Sequence, residues 1–224
     1  MSVPPLEEQV SELRAAAGAS VRPLLEAVPG MVRFTTGLAE IFMLENFIDQ
    51  AACDSLIELI DENCQPSPIF EAEGYDSQYR NSSTCNLLRW DPRVKAVDDA
   101  IASLLGLAPE FGETVQGQRY EVGQQFKQHA DFFFIDQPYW PEVAKHGGQR
   151  TWTAMVFLNE PEGGGATTFP TLGISVAPQR GKLLAWNNMN RDGAPNIMTM
   201  HEGTTVTEGR KYIVTKWFRE RPWL

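Results

Sequence analysis

Hydrophobic positions recur at helical spacing over roughly the first hundred residues and alternate in a strand-like way after them. Leu6, Val10 and Leu13 repeat every three to four residues. That spacing predicts helix from Leu6 to about Val28, in one or two segments broken at Gly18 and Pro23, with this face packed on the body. Glu40 to Leu44 reads as a strand. Asp49 then caps a helix whose apolar stripe is Cys53, Leu56, Ile57 and Ile60. Residues 65–86 are polar and turn-rich without a clear period, which marks a mobile or functional segment. Val94, Val97, Ile101 and Leu104 predict another helix from Pro92 to Leu105.

After Pro109 the texture changes to short alternating runs separated by Gly, Pro and Asn. They predict strands at 114–122, 126–133, 151–158, 166–169, 174–176, 182–186, 197–201, 204–207 and 211–218. Many short strands with turn chemistry between them predict a barrel or a double-sheet jelly roll. The expected class is therefore α+β with a mostly β core and N-terminal supporting helices. The chain divides into a helical extension at 1–38 and a single domain at 39–224.

Composition narrows the function. Among 224 residues, 19 Lys and Arg face 29 Asp and Glu, a net charge of −10. That balance argues against a duplex nucleic-acid partner and against anionic membrane surfaces. Three cysteines (Cys53, Cys64 and Cys85) make neither a disulfide framework nor a zinc motif. No signal peptide or membrane-length apolar run is evident, so a cytoplasmic location is expected.

Only three histidines occur. His129 and Asp131 sit in an alternating segment, where positions i and i+2 point to one face. Alone, such an H-x-D pair reads better as a surface hydrogen bond or a strand-end polar cluster than as a metal site, and His201 alone reads as an ordinary strand-end histidine. Together they can supply the two imidazoles and one carboxylate that hold iron in non-haem Fe(II) oxygenases. Lys211 follows ten residues after His201 and opens a strand with large apolar residues on both faces. A lysine entering such a strand either reaches water at the strand end or needs an anionic partner. His146 lies in the glycine-flanked stretch Lys145-His146-Gly147-Gly148 and reads as a solvated loop residue.

The ordered motifs resemble the prolyl 4-hydroxylase-type 2-oxoglutarate/Fe(II) dioxygenases. The likeness runs through Tyr120, Gly123-Gln124 and His129-Ala130-Asp131. It continues in Gln149 to Asn159, Gly164-Gly165-Ala166-Thr167-Thr168-Phe169-Pro170, His201, Gly209-Arg210-Lys211-Tyr212 and Thr215-Lys216-Trp217-Phe218. Upstream it is looser, through Leu44-Glu45-Asn46-Phe47-Ile48 and Arg80-Asn81-Ser82-Ser83. It covers about residues 40–219. Tyr212 stands where tryptophan is frequent, and Ala185 replaces a bulky residue before Trp186.

The resemblance implies a double-stranded β-helix with Fe(II) held by His129, Asp131 and His201. It implies that Lys211 pairs with the distal carboxylate of 2-oxoglutarate and that Tyr120 and Thr153 lie near this cosubstrate. Arg80, Ser82 and Trp186 are candidate substrate contacts. The implied reaction consumes O2 and 2-oxoglutarate, with ascorbate as an accompanying reductant, and hydroxylates a C–H bond with succinate and CO2 as coproducts. The favoured substrate is a prolyl residue in a peptide or protein, held beneath the 66–88 and 132–148 loops. The alternatives are the same chemistry on a free amino acid or small metabolite, and a non-catalytic iron and 2-oxoglutarate sensor.

Overall fold

A computed structural model describes residues 4–67 and 80–223. The helical part opens with α1 (Glu12–Glu26), followed by strands β1 (Val32–Arg33) and β2 (Ile41–Leu44). Then come α2 (Gln50–Asn63), β3 (Gln65–Pro66), β4 (Ser83–Leu87) and α3 (Pro92–Leu105). The β-rich part begins with β5 (Val115–Tyr120) and β6 (Phe126–His129), with α4 (Trp140–Lys145) ahead of β7 (Arg150–Phe157). It continues through β8 (Gly163–Gly164), β9 (Thr167–Phe169), β10 (Ile174–Val176) and β11 (Leu183–Asn187). The last strands are β12 (His201–Gly203), β13 (Val206–Glu208) and β14 (Lys211–Arg219).

Eight strands form a major sheet in the order β1-β2-β11-β7-β14-β5-β4-β3, and a minor sheet runs β10-β9-β12-β6. β13 and β8 form a separate two-stranded ribbon, and every ladder among the described residues is antiparallel. This is the jelly-roll arrangement. The major sheet is buried on both faces because its strands carry two interleaved apolar sets. Phe42, Trp152, Ala154, Val156, Val214 and Phe218 face one core with α1, α2 and α3. Ile41, Met155, Phe157, Leu184, Trp186 and Ile213 face the other, against the minor sheet. All nine residues of β14 are buried in consequence.

The helices follow their local signals. Asp49 caps α2 by accepting the Ala52 N–H at 2.8 Å, Asp91 caps α3, and Gly106 ends α3 in the left-handed region. Cys53, Leu56 and Ile60 of the predicted α2 stripe are buried, whereas Ile57 is half-buried and Leu59, outside that stripe, is buried with them. No helix among the described residues is long and apolar enough to cross a membrane. All three cysteines are free.

Several sequence expectations are corrected. Val10 and Leu13 are 58% and 52% exposed, so the predicted apolar face of the N-terminal segment does not pack on the body. The buried face is Gly18, Val21 and Leu25 instead. α1 is also one helix through both Gly18 and Pro23. Proline removes a single N–H, and the packing of Val21 and Leu25 on either side of it outweighs that loss. Residues 197–201 are not a strand: Ile197–Thr199 form a 3-10 turn capped by Asn196, and β12 starts at His201. β6 ends at His129, so Asp131 lies just beyond the strand that was expected to run to 133. β4 occupies part of the stretch read as irregular, and α4 lies within the 132–148 loop. Residues 68–79 of the expected 66–88 substrate loop lie outside the described residues.

Candidate metal centre and cosubstrate pocket

β6 and β12 are paired in the minor sheet, and their register sets His129 directly opposite His201. The ring centroids are 4.3 Å apart. Asp131 follows on the same side, with Oδ2 3.9 Å from His201 Nε2. One ligand atom from each of His129, Asp131 and His201 lies within 4.8 Å of the others, the one such cluster of three or more among the described residues.

The imidazole tautomers are fixed by backbone. His129 Nδ1 lies 2.8 Å from the Lys127 carbonyl and His201 Nδ1 lies 3.0 Å from the Thr199 carbonyl. A carbonyl only accepts, so each Nδ1 carries the proton and each Nε2 presents a lone pair inward. Burial, reinforced by the neighbouring His201, depresses the His129 pKa to about 3, so this ring is neutral at ordinary pH. Burial works to raise the Asp131 pKa, but His201, His129, Arg150 and the Thr153 hydroxyl outweigh it, and the carboxyl stays ionised. Two imidazoles and an ionised carboxylate, with Asp131 and His201 buried and His129 half-buried, are the donor set that a divalent iron takes.

The remaining pocket is lined by Arg80, Tyr120, Phe126, Thr167, Trp186 and Lys211, among others. Lys211 opens β14 opposite Tyr120 and is 2% exposed. Its Nζ sits 5.3 Å from the Tyr120 ring centroid and 5.5 Å from that of Phe157. No carboxylate pairs with it among the described residues, and burial alone pulls its pKa down to about 7. A Cβ added at Gly203 would lie 3.7 Å from that Nζ, so the glycine leaves the ground above the ammonium open. A buried cation facing a cavity fits an anionic cosubstrate.

Other expected residues are placed as follows. Tyr120 is 3% exposed, and its hydroxyl donates to Gln118 Oε1 at 2.6 Å. Arg80 lines the pocket, its guanidinium 4.7 Å from the Phe126 ring centroid, and contacts Gln116 and Ser82. Ser82 is buried and bonded to Ser67. Trp186 is buried edge-on to His201 with ring centroids 4.7 Å apart, and forms a wall of the pocket. Thr153 does not line the pocket; its hydroxyl donates to Asp131 Oδ2 at 2.7 Å. Thr167, inside the Gly-Gly-x-Thr turn that carries part of the resemblance, takes a place on the pocket wall that the sequence reading did not assign. His146 is exposed, with its Nε2 2.8 Å from Glu142.

A profile of the 2OG-Fe(II) oxygenase superfamily matches residues 115–219, which span every residue of the triad and Lys211. The chain is 31% identical over 214 residues to prolyl 4-hydroxylase 2 of Arabidopsis thaliana, covering 84% of this chain and 70% of that protein. It belongs to the prolyl 4-hydroxylase-type 2-oxoglutarate/Fe(II) oxygenases.

As a member of that family it is a 2-oxoglutarate-dependent dioxygenase. A putative prolyl 4-hydroxylase of Acanthamoeba polyphaga mimivirus is 28% identical over 181 residues, with 80% and 74% of the two chains covered. Among solved structures, a viral collagen prolyl hydroxylase from Paramecium Bursaria Chlorella virus-1, determined as a 2OG complex, superposes with a TM-score of 0.62. It shares 25% identity over 80% of this oxygenase and 94% of that chain. A prolyl hydroxylase from Trichoplax adhaerens, solved with a peptide fragment of hypoxia inducible factor, shares the fold at a TM-score of 0.60 and 12% identity, over 98% and 94% of the two chains.

Proposed function

We propose that this oxygenase hydroxylates a prolyl residue in a peptide or protein, with Fe(II) held by His129, Asp131 and His201. The carrying observation is the conjunction in one pocket of the His129, Asp131 and His201 triad and the uncompensated, buried Lys211 ammonium. The iron would supply oxygen activation coupled to decarboxylation of 2-oxoglutarate to succinate and CO2. The chain's own residues do the positioning. His129 and His201 offer preset Nε2 lone pairs, and Asp131 supplies the negative charge that matches a dication. Lys211 neutralises the far carboxylate of 2-oxoglutarate, with Thr167 and Tyr120 beside it on the pocket wall. Phe126, Phe169 and Trp186 close round the imidazoles and keep bulk water from the reacting centre.

Arg80 at the pocket mouth is assigned to substrate, with Ser82 behind it and Trp186 on the inner wall. Residues 39–224 form the oxygenase domain and residues 1–38 its extension. Ascorbate serves as the accompanying reductant and the cytoplasm as the compartment. Relatives named for prolyl 4-hydroxylation support the prolyl reading over a free amino acid.

The test is succinate formation by the iron-loaded protein with proline-containing peptides, with free amino acids, and with neither. The expected result is peptide-stimulated succinate and a peptide product heavier by one oxygen atom, both lost in Asp131→Ala. Turnover stimulated only by free amino acids would sink the peptide assignment. Unimpaired coupling in Asp131→Ala would sink the metal assignment.

A further inference from the structure

The Asp131 carboxylate is held by a chain of two buried side chains that come from neighbouring strands of the major sheet. Thr153, on β7 and 0% exposed, donates its hydroxyl proton to Asp131 Oδ2 at 2.7 Å. Asn188, just past β11 and also 0% exposed, donates from Nδ2 to Thr153 Oγ1 at 2.9 Å. The direction of this chain follows from chemistry. An ionised carboxylate only accepts, so the single hydroxyl proton of Thr153 must go to Asp131. The Thr153 oxygen is then an acceptor, and Asn188 must present its NH2.

Asn188 is itself fixed at both backbone atoms. Its N–H donates to the Thr151 carbonyl at 2.7 Å, and its carbonyl accepts the Asn196 N–H at 2.9 Å. Its side-chain carbonyl has no hydrogen-bond partner among the described residues. Leaving a buried amide oxygen unsatisfied costs about 1–3 kcal/mol, which an apolar residue of similar shape would avoid. A buried asparagine is therefore a poor choice here for stability alone. What it delivers is a donor that polarises the Thr153 hydroxyl toward the carboxylate.

We propose that Asn188 and Thr153 are positioning residues that lock the Asp131 carboxylate in one orientation and thereby set the affinity of the triad for its divalent cation. This inference rests on the reading of His129, Asp131 and His201 as the metal site. A carboxylate tethered through one oxygen meets the cation without swinging, so the rotational freedom is lost on folding and not on binding. Asn188 touches no ligand and acts through Thr153 alone.

The experiment titrates Mn(II) into the metal-free full-length protein and follows the free-ion paramagnetic resonance signal, a readout independent of turnover. Wild type, T153V, T153S, N188L and the double variant T153V/N188L are compared. Loss of an outer hydrogen-bonding partner weakens metal affinity roughly 10–100-fold, and T153V is expected in that range. T153S, which keeps the hydroxyl, restores affinity to near wild type. N188L weakens it by a smaller factor, and the double variant binds no more weakly than T153V, because Asn188 has nothing left to act on. Unchanged affinity in T153V, or losses that multiply in the double variant, would overturn the relay. Should T153V fail to fold, N188L decides alone, and unchanged affinity there overturns the proposal too. A wild-type protein that binds no Mn(II) refutes the metal site itself, and the relay with it.

Discussion

His129 and His201 are direct cross-strand partners in the minor sheet, with their Nδ1 atoms each turned to the carbonyl two residues before them. Two imidazoles widely separated in sequence thus become one bidentate surface by strand register. A slip of one residue in that ladder would turn one ring to the opposite face and dismantle the site. The glycine at the end of the ladder, Gly203, extends the same logic to the cosubstrate.

Gly203→Leu should therefore separate metal from cosubstrate binding. A Cβ at this position meets Lys211 Nζ at 3.7 Å and Phe126 Cβ at 3.9 Å, ordinary contact distances. Alanine is accommodated, but a leucine side chain fills the space in front of the ammonium. Overpacking of about 1–3 kcal/mol corresponds to a KM for 2-oxoglutarate raised roughly 5- to 150-fold. Mn(II) affinity in the absence of 2-oxoglutarate should stay at the wild-type value, and a parallel loss there would refute the assignment.

Lys211→Met should have opposite effects on stability and on binding. The ammonium is 2% exposed with no carboxylate among the described residues, so an apolar side chain of similar length removes a desolvation penalty. The melting temperature of the ligand-free protein rises. Affinity for 2-oxoglutarate falls by about 2–5 kcal/mol, roughly 30-fold or more, as for loss of one partner in a buried charge pair. Calorimetry of the two proteins checks both signs, and a wild-type affinity would refute the role given to Lys211.

The depressed Lys211 pKa, about 7, makes cosubstrate binding a proton-linked event. The ionisable groups that share its pocket are Tyr120 on β5, Arg80 ahead of β4, His129 on β6, Asp131 just past that strand, and His201 on β12. A dicarboxylate restores the ammonium, so near pH 8 its binding takes up about one proton, and affinity weakens about tenfold per pH unit above 7. Titrations at pH 8 in buffers of different ionisation enthalpy measure that uptake; no buffer dependence contradicts it. The same group binds fewer protons folded than unfolded between about 7 and its ordinary value. By its contribution alone, the ligand-free protein gains stability as pH rises through that window.

Gly18→Leu should loosen the N-terminal helix from the body. A Cβ there would lie 2.7 Å from Asn187 Nδ2, which is bonded to the buried Glu40. Arg14 reaches Glu220 and the Gly193 carbonyl from the same helix, so α1 is also tied to the body by hydrogen bonds. The expected cost is about 1–3 kcal/mol, with the melting temperature falling about 2–4 °C per kcal/mol for a chain of this size. An unchanged melting temperature would mean that α1 is not packed through this contact.

The sequence by itself determined the strands that carry chemistry and the identities of the groups on them. Near-continuous apolar runs marked β7, β11 and β14, because a strand buried on both faces needs apolar residues on each of them. The ordered motifs marked His129, Asp131, His201 and Lys211, because those residue types in that order have few other uses. Tertiary structure alone decided which residues support them. The exposed Val10 and Leu13 look the same in sequence as the buried Val21 and Leu25, since an amphipathic pattern does not say which side meets the body. β4 has too little apolar content to announce itself, and exists because β5 offers it a ladder. Thr153 was expected beside the cosubstrate, and its hydroxyl instead goes to Asp131. Asn188 carried no signal at all: its meaning is a 2.9 Å contact across two strands, which no local pattern encodes.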